Sequence, residues 1–129
     1  MPRAKAPAEQ NALACGPNQG ERGVQLKGRL WLEKDGKTFL SWGRVVLLER
    51  IVEFGSLSAA ARSMGMSYSH AWGLVEEMNC LAGEELVTKQ TGGAGGGGAR
   101  LTPAGAKLVD DFWRLVGEFR EWVSARDLV

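Results

Sequence analysis

Four consecutive residues, Ser67, Tyr68, Ser69 and His70, each end in a hydrogen-bonding group. Such a set can reach phosphate oxygens or the polar edges of bases. Further along, Lys89 and Arg100 flank an eight-residue run, Thr91 to Gly98, in which Gly92, Gly93, Gly95, Gly96, Gly97 and Gly98 are six of the eight. Main-chain amides there lack side-chain cover and can approach an anion closely. The run is not a phosphate-gripping nucleotide loop, because Gly98 is followed by Ala99 and Arg100 rather than by a lysine and a hydroxyl. Catalysis is not expected. His70 is the only histidine, no acid lies within four residues of it, and no carboxylate pair has acid–base spacing. Cys15 and Cys80 form no CxxC pair and imply neither a disulfide framework nor a zinc site. No cofactor or metal is called for by these residues.

The elements that must position these groups are legible from spacing. Met1 to Gly23 has three prolines and no apolar period, so residues 1–23 are expected to be a flexible arm ahead of one domain over 24–129. Leu26, Leu30 and Leu32 alternate in part with Lys27, Arg29 and Glu33, and Asp35-Gly36 joins that run to Thr38-Phe39-Leu40 as a hairpin. Ser41 caps a helix with Val45, Leu48, Ile51 and Val52 facing inward, ended by Gly55. Ser56 opens a short alanine-rich helix that stops at Gly65. Ser67 opens the next, with Trp72, Val75 and Met78 assigned to the core. Small Ala59, Ala60 and Ala61 let the two helices cross closely, as a helix-turn-helix requires. Strand candidates at 85–90 and 99–102 make a wing around the glycine run, and Thr102-Pro103 starts a final helix at about 103–126.

This order predicts a mainly α chain with small β hairpins, a winged helix-turn-helix whose second helix, beginning at Ser67, enters the DNA major groove. Ser67 can act as cap or contact, and His70 as contact or plain exposed side chain; both readings stay open at this point. Glu76 and Glu77 read as a solvated face. Phe112, Leu115, Phe119 and Trp122 recur at helical spacing and are read as a dimerisation seam, so that Phe112→Glu is expected to give monomers. The partners expected are therefore double-stranded DNA and a second copy of the chain. Nothing approaches the length of a membrane span, and a cytoplasmic protein is expected. Composition is neutral on nucleic acid, since the net charge is +1. Between Ser56 and Thr102, Arg62, Lys89 and Arg100 stand against Glu76, Glu77, Glu84 and Glu85, so a shallow salt dependence is expected, helped by basic residues such as Arg3, Lys5, Lys27, Arg29, Lys34 and Lys37.

Several of these segments, Gly55-Ser56-Leu57-Ser58-Ala59-Ala60-Ala61, Ser67-Tyr68-Ser69-His70-Ala71-Trp72, Glu77-Met78-Asn79, the Thr91–Gly98 run and Leu101-Thr102-Pro103-Ala104-Gly105, occur in one order. Together they resemble the N-terminal DNA-binding domain of the ModE-type molybdate-responsive regulators, LysR-type winged helix-turn-helix proteins, from about Val24 to Val123. The resemblance implies a dimeric transcription regulator with the Tyr68 helix in the major groove and the glycine hairpin as wing. The molybdate-binding module that follows in that family is not expected in this chain. Molybdate is the effector the resemblance implies, with control kept through a partner, changed or lost. The alternative is an oxyanion-binding or non-DNA interaction module on the same fold, with molybdate held by the glycine-loop amides.

Overall fold

The computed structural model describes residues 24–90 and 98–126. The expected arm (1–23) and, of the expected wing loop, Gly92, Gly93, Gly95, Gly96 and Gly97 lie outside the described residues.

Asp35 and Gly36 both take positive φ, 53° and 76°, the mirror-image turn whose twist suits two antiparallel strands. They join β1 (Leu32–Lys34) to β2 (Lys37–Leu40), with a bulge between Leu32 and Glu33. The strand expected from Leu26 is thus shorter: residues 24–31 have no ladder partner. They pass close to the last helix instead, where a Cβ on Gly28 would come within 2.9 Å of the Phe119 ring.

Three serines start three helices as their spacing predicts. Ser41 accepts from the Arg44 amide at α1 (Trp42–Phe54), Ser56 from Ala59 at α2 (Leu57–Ser63), and Ser67 from His70 at α3 (Tyr68–Ala82). Each satisfies an amide that the helix leaves without an internal acceptor. Between α2 and α3 the Met66 and Met64 amides both return to the Ala61 carbonyl, while Gly65 takes φ 71°. A side chain at that φ would meet its own carbonyl, so glycine sets how tightly α3 follows α2.

After α3, β3 (Val87–Gln90) pairs antiparallel with β4 (Gly98–Leu101), and β4 touches the chain before α2 through a Ser56–Gly98 bridge. Thr102 then closes three contacts together. Its amide and hydroxyl donate to the Leu86 carbonyl, and its oxygen accepts from Gly105 to cap α4 (Pro103–Ser124). Gly105 is needed for this approach: a Cβ there would lie 2.5 Å from the Leu86 carbonyl oxygen.

Helix, helix-turn-helix, β-hairpin and long closing helix make this a winged helix-turn-helix. Its core gathers Leu40, Leu48, Ile51, Leu57, Met78, Leu86 and Phe112, all at most 1% exposed. Three expectations need correction. Val52 is 62% exposed; it shares a helical face with Val45 but stands at the rim of a shallow groove beside Gly55, Gln90 and Arg100 instead of in the core. Phe112 is fully buried within the chain, because the inward face of α4 is Gly105, Val109, Phe112 and Val116, so it cannot belong to a seam between copies. The rest of the expected seam sits on a neighbouring face, with Leu115 and Phe119 half-buried and Trp122 52% exposed. Trp72 flanks the core, half-buried, rather than lying within it.

The outer face of α4 carries a ladder of charges, Lys107 to Asp111, Asp111 to Arg114 and Arg114 to Glu118. The hydrogen bond from Lys107, aided by Arg114, holds the Asp111 carboxyl below its ordinary value. Among the described residues, no helix is long and apolar enough to cross a membrane.

Candidate nucleic-acid interface

The first turn of α3 presents Ser67, Tyr68, Ser69 and His70 together at the surface, with Tyr68 41% exposed. Ser67 acts as the cap, its oxygen 3.1 Å from the His70 amide. Helical rotation fans the next three side chains about 100° apart, so the helix start offers a phenol, a hydroxyl and an imidazole over a wide arc. The amides of Tyr68 and Ser69 precede the first internal bond, from Ala71 to the Ser67 carbonyl, and the helix dipole favours an anion beside them.

The two basic residues of the hairpin separate. Lys89 lies on the same face of the strands as buried Val87 and reaches across α3, its Nζ 4.3 Å from the Trp72 ring centre and 6.0 Å from that of Tyr68. Arg100 pairs with Thr88 and so belongs to the opposite face, where it lines a shallow groove with Val52, Gly55 and Gln90. Lys89 therefore joins the α3 surface and Arg100 does not. Gly98 is the one glycine of the expected wing loop among the described residues, and it serves as the first residue of β4. The oxyanion reading rests on glycines that lie outside them.

What holds this surface in place went largely unmarked by sequence pattern. Asn79 Oδ1 accepts from the amides of Leu86 and, at 3.4 Å, Val87, while its Nδ2 donates to the Val87 carbonyl. One side chain thus pins the base of the wing to the back of α3. The available signal was a polar residue next to Met78 and four after Val75, on the apolar stripe of the helix, where an amide needs partners. Asn79→Ala is expected to destabilise the chain by about 1–3 kcal/mol, since it leaves the Leu86 amide without its acceptor. Thermal melting checks this, and a shift within error would mean water replaces the side chain.

Glu77 is not a purely solvated carboxylate. It accepts from Arg44 at 2.6 Å, and Arg44 also donates to the Thr38 carbonyl, joining α3, α1 and β2. Glu76 is exposed as expected. Lys34 donates to the Leu81 carbonyl at 2.6 Å, in the last turn of α3, where a cation complements the negative end of the helix. The first hairpin thereby supports the α3 C-terminus while its N-terminus stays open.

The sequence profile described as bacterial regulatory helix-turn-helix protein, lysR family, matches residues 42–106, half of the chain. The chain is 54% identical over 66 residues to the molybdenum-pterin-binding protein MopB of Rhodobacter capsulatus, covering 51% of this chain and 24% of that protein. It is 44% identical over 86 residues to the DNA-binding transcriptional dual regulator ModE of Escherichia coli (strain K12), covering 67% and 33%. With the molybdenum transport protein ModE of Azotobacter vinelandii it shares 40% over 97 residues, covering 75% and 36%. The aligned segment spans between a quarter and about a third of these relatives.

Proposed function

The chain belongs to the lysR family of bacterial regulatory helix-turn-helix proteins, and from that premise we propose that it is a sequence-specific transcription regulator of the ModE type, acting on double-stranded DNA in the cytoplasm. The observation that carries this reading is the exposed first turn of α3, with Lys89 brought onto the same surface.

In this mechanism the start of α3 enters the major groove. Tyr68 and His70 reach base edges, where their donors and acceptors discriminate among base pairs. Ser69, the first amides of α3 and Lys89 meet phosphates, which set the register. The wing follows the backbone alongside. A second copy joins through the outward part of the α4 stripe, with Leu115, Phe119 and Trp122, and the pair presents two α3 helices to a two-fold symmetric site. The names of MopB and of the Azotobacter relative mention molybdenum, and we extend that link here as molybdenum-dependent control of the genes bound.

Selection of genomic fragments on the purified chain, then binding to the enriched fragment at two salt concentrations with and without molybdate, tests the reading. A recovered two-fold symmetric site, preferred at both salts, is the expected result. No enrichment under any condition overturns it. The salt slope should be shallow, because few cations accompany the acidic residues of the α2–β4 region.

A further inference from the structure

Trp72 stands one helical turn after Tyr68 on α3, with one side against the core and the other towards solvent. Lys89 approaches from β3 and sets its ammonium 4.3 Å from the indole centre, with the Tyr68 ring at 6.0 Å. At that range the negative face of an indole attracts a cation, and the lysine stem covers apolar ring surface. The ring engages one side of the ammonium and leaves donors on the other free to turn outward.

We propose that Trp72 is a positioning residue for duplex binding: its ring holds the Lys89 ammonium beside the open start of α3, so that the ammonium and the α3 amides address neighbouring phosphates of one DNA backbone. This rests on the DNA-binding reading above. The physical gain is pre-organisation. A lysine side chain ordered only when DNA arrives loses rotamer freedom at that moment, whereas one already seated on Trp72 has lost much of it beforehand. The same contact couples the wing strand to the reading helix, so the two approach the duplex as one surface.

A double-mutant cycle on the full chain tests this, using a short duplex of mixed sequence at several salt concentrations. Lys89→Gln removes the charge and should lower the salt slope by about one unit. Trp72→Leu keeps the charge, so the slope should hold while binding weakens roughly two- to five-fold. In the Lys89→Gln background Trp72→Leu should then cost nothing further. Equal losses in both backgrounds would mean that Trp72 only fills space, and would overturn the proposal, as would unchanged or tighter binding by Trp72→Leu alone. Should the leucine variant fail to fold, Trp72→Phe serves in its place: a weaker ring predicts a smaller loss, again absent in the Lys89→Gln background. NMR of the free chain supplies an independent reading, since the indole ring current should displace the Lys89 Hε resonances upfield. Displaced resonances without duplex binding by the unaltered chain would sink the DNA reading and the proposal with it. Duplex binding with undisplaced resonances would sink the clamp alone.

Discussion

Replacing Phe112 by alanine is expected to destabilise the chain by about 3–5 kcal/mol, the cost of emptying a fully enclosed aromatic site. Its ring is wholly buried and meets Trp113 edge-on at 5.3 Å between centroids. Trp113 in turn stands edge-on to Trp42 at 4.8 Å and donates to Glu49 at 2.9 Å, so the cavity opens where α4 is fastened to α1. A fall in melting temperature on the order of 15 °C should follow. Phe112→Glu should unfold the chain outright rather than give folded monomers, because an unpaired carboxylate would replace the ring. The informative substitution for self-association is Trp122→Glu. Trp122 is 52% exposed on the single chain, with Arg126 over its ring at 4.2 Å, so its loss should leave the fold of one copy intact. A smaller sedimentation mass with a cooperative melt retained, lowered only by loss of the partner, would establish α4 as the dimer face. A normal melt for Phe112→Ala would refute its place in the core.

The largest functional effect is expected from Tyr68→Ala combined with His70→Ala. Base-edge contacts each discriminate by about 1–3 kcal/mol, so the double variant should lose on the order of a hundred-fold in affinity for its selected site. It should lose far less for duplex of mixed sequence. Both side chains are exposed on the first turn of α3, and alanine is a good helix former, so melting should barely change. Competition between the selected site and mixed-sequence duplex measures this directly. Equal losses on both would move Tyr68 and His70 from base reading to backbone contact. No loss on either would remove the α3 start from the interface.

Local structure was mostly written in local residues. Ser41, Ser56, Ser67 and Thr102 cap helices from within three residues of the amides they satisfy, and Asp35-Gly36 makes its turn without distant help. The position of the quartet 67–70 was readable for the same reason: a capping serine fixes where a helix begins, and four consecutive polar side chains there offer no apolar face to bury.

What the chain order could not settle was which neighbour covers each face. The apolar stripe on α4 is wider than one contact needs, so periodicity alone could not tell Phe112, turned to its own core, from Trp122, turned to solvent. Glu77 read as solvated because its partner Arg44 lies thirty-three residues away. Lys89 and Arg100 looked alike as flanks of one loop. The eight residues between Gln90 and Ala99 leave strand register free, and a shift of one residue exchanges the two faces. Burial of Val87 and Ala99, the Asn79 hydrogen bonds and the Ser56–Gly98 bridge fix that register. Sequence by itself determined the elements and the chemistry at the head of α3, because caps, turns and periods act over a few residues. Only tertiary packing placed Lys89 over Trp72 and Arg100 on the far face, because register and burial depend on contacts between segments distant along the chain.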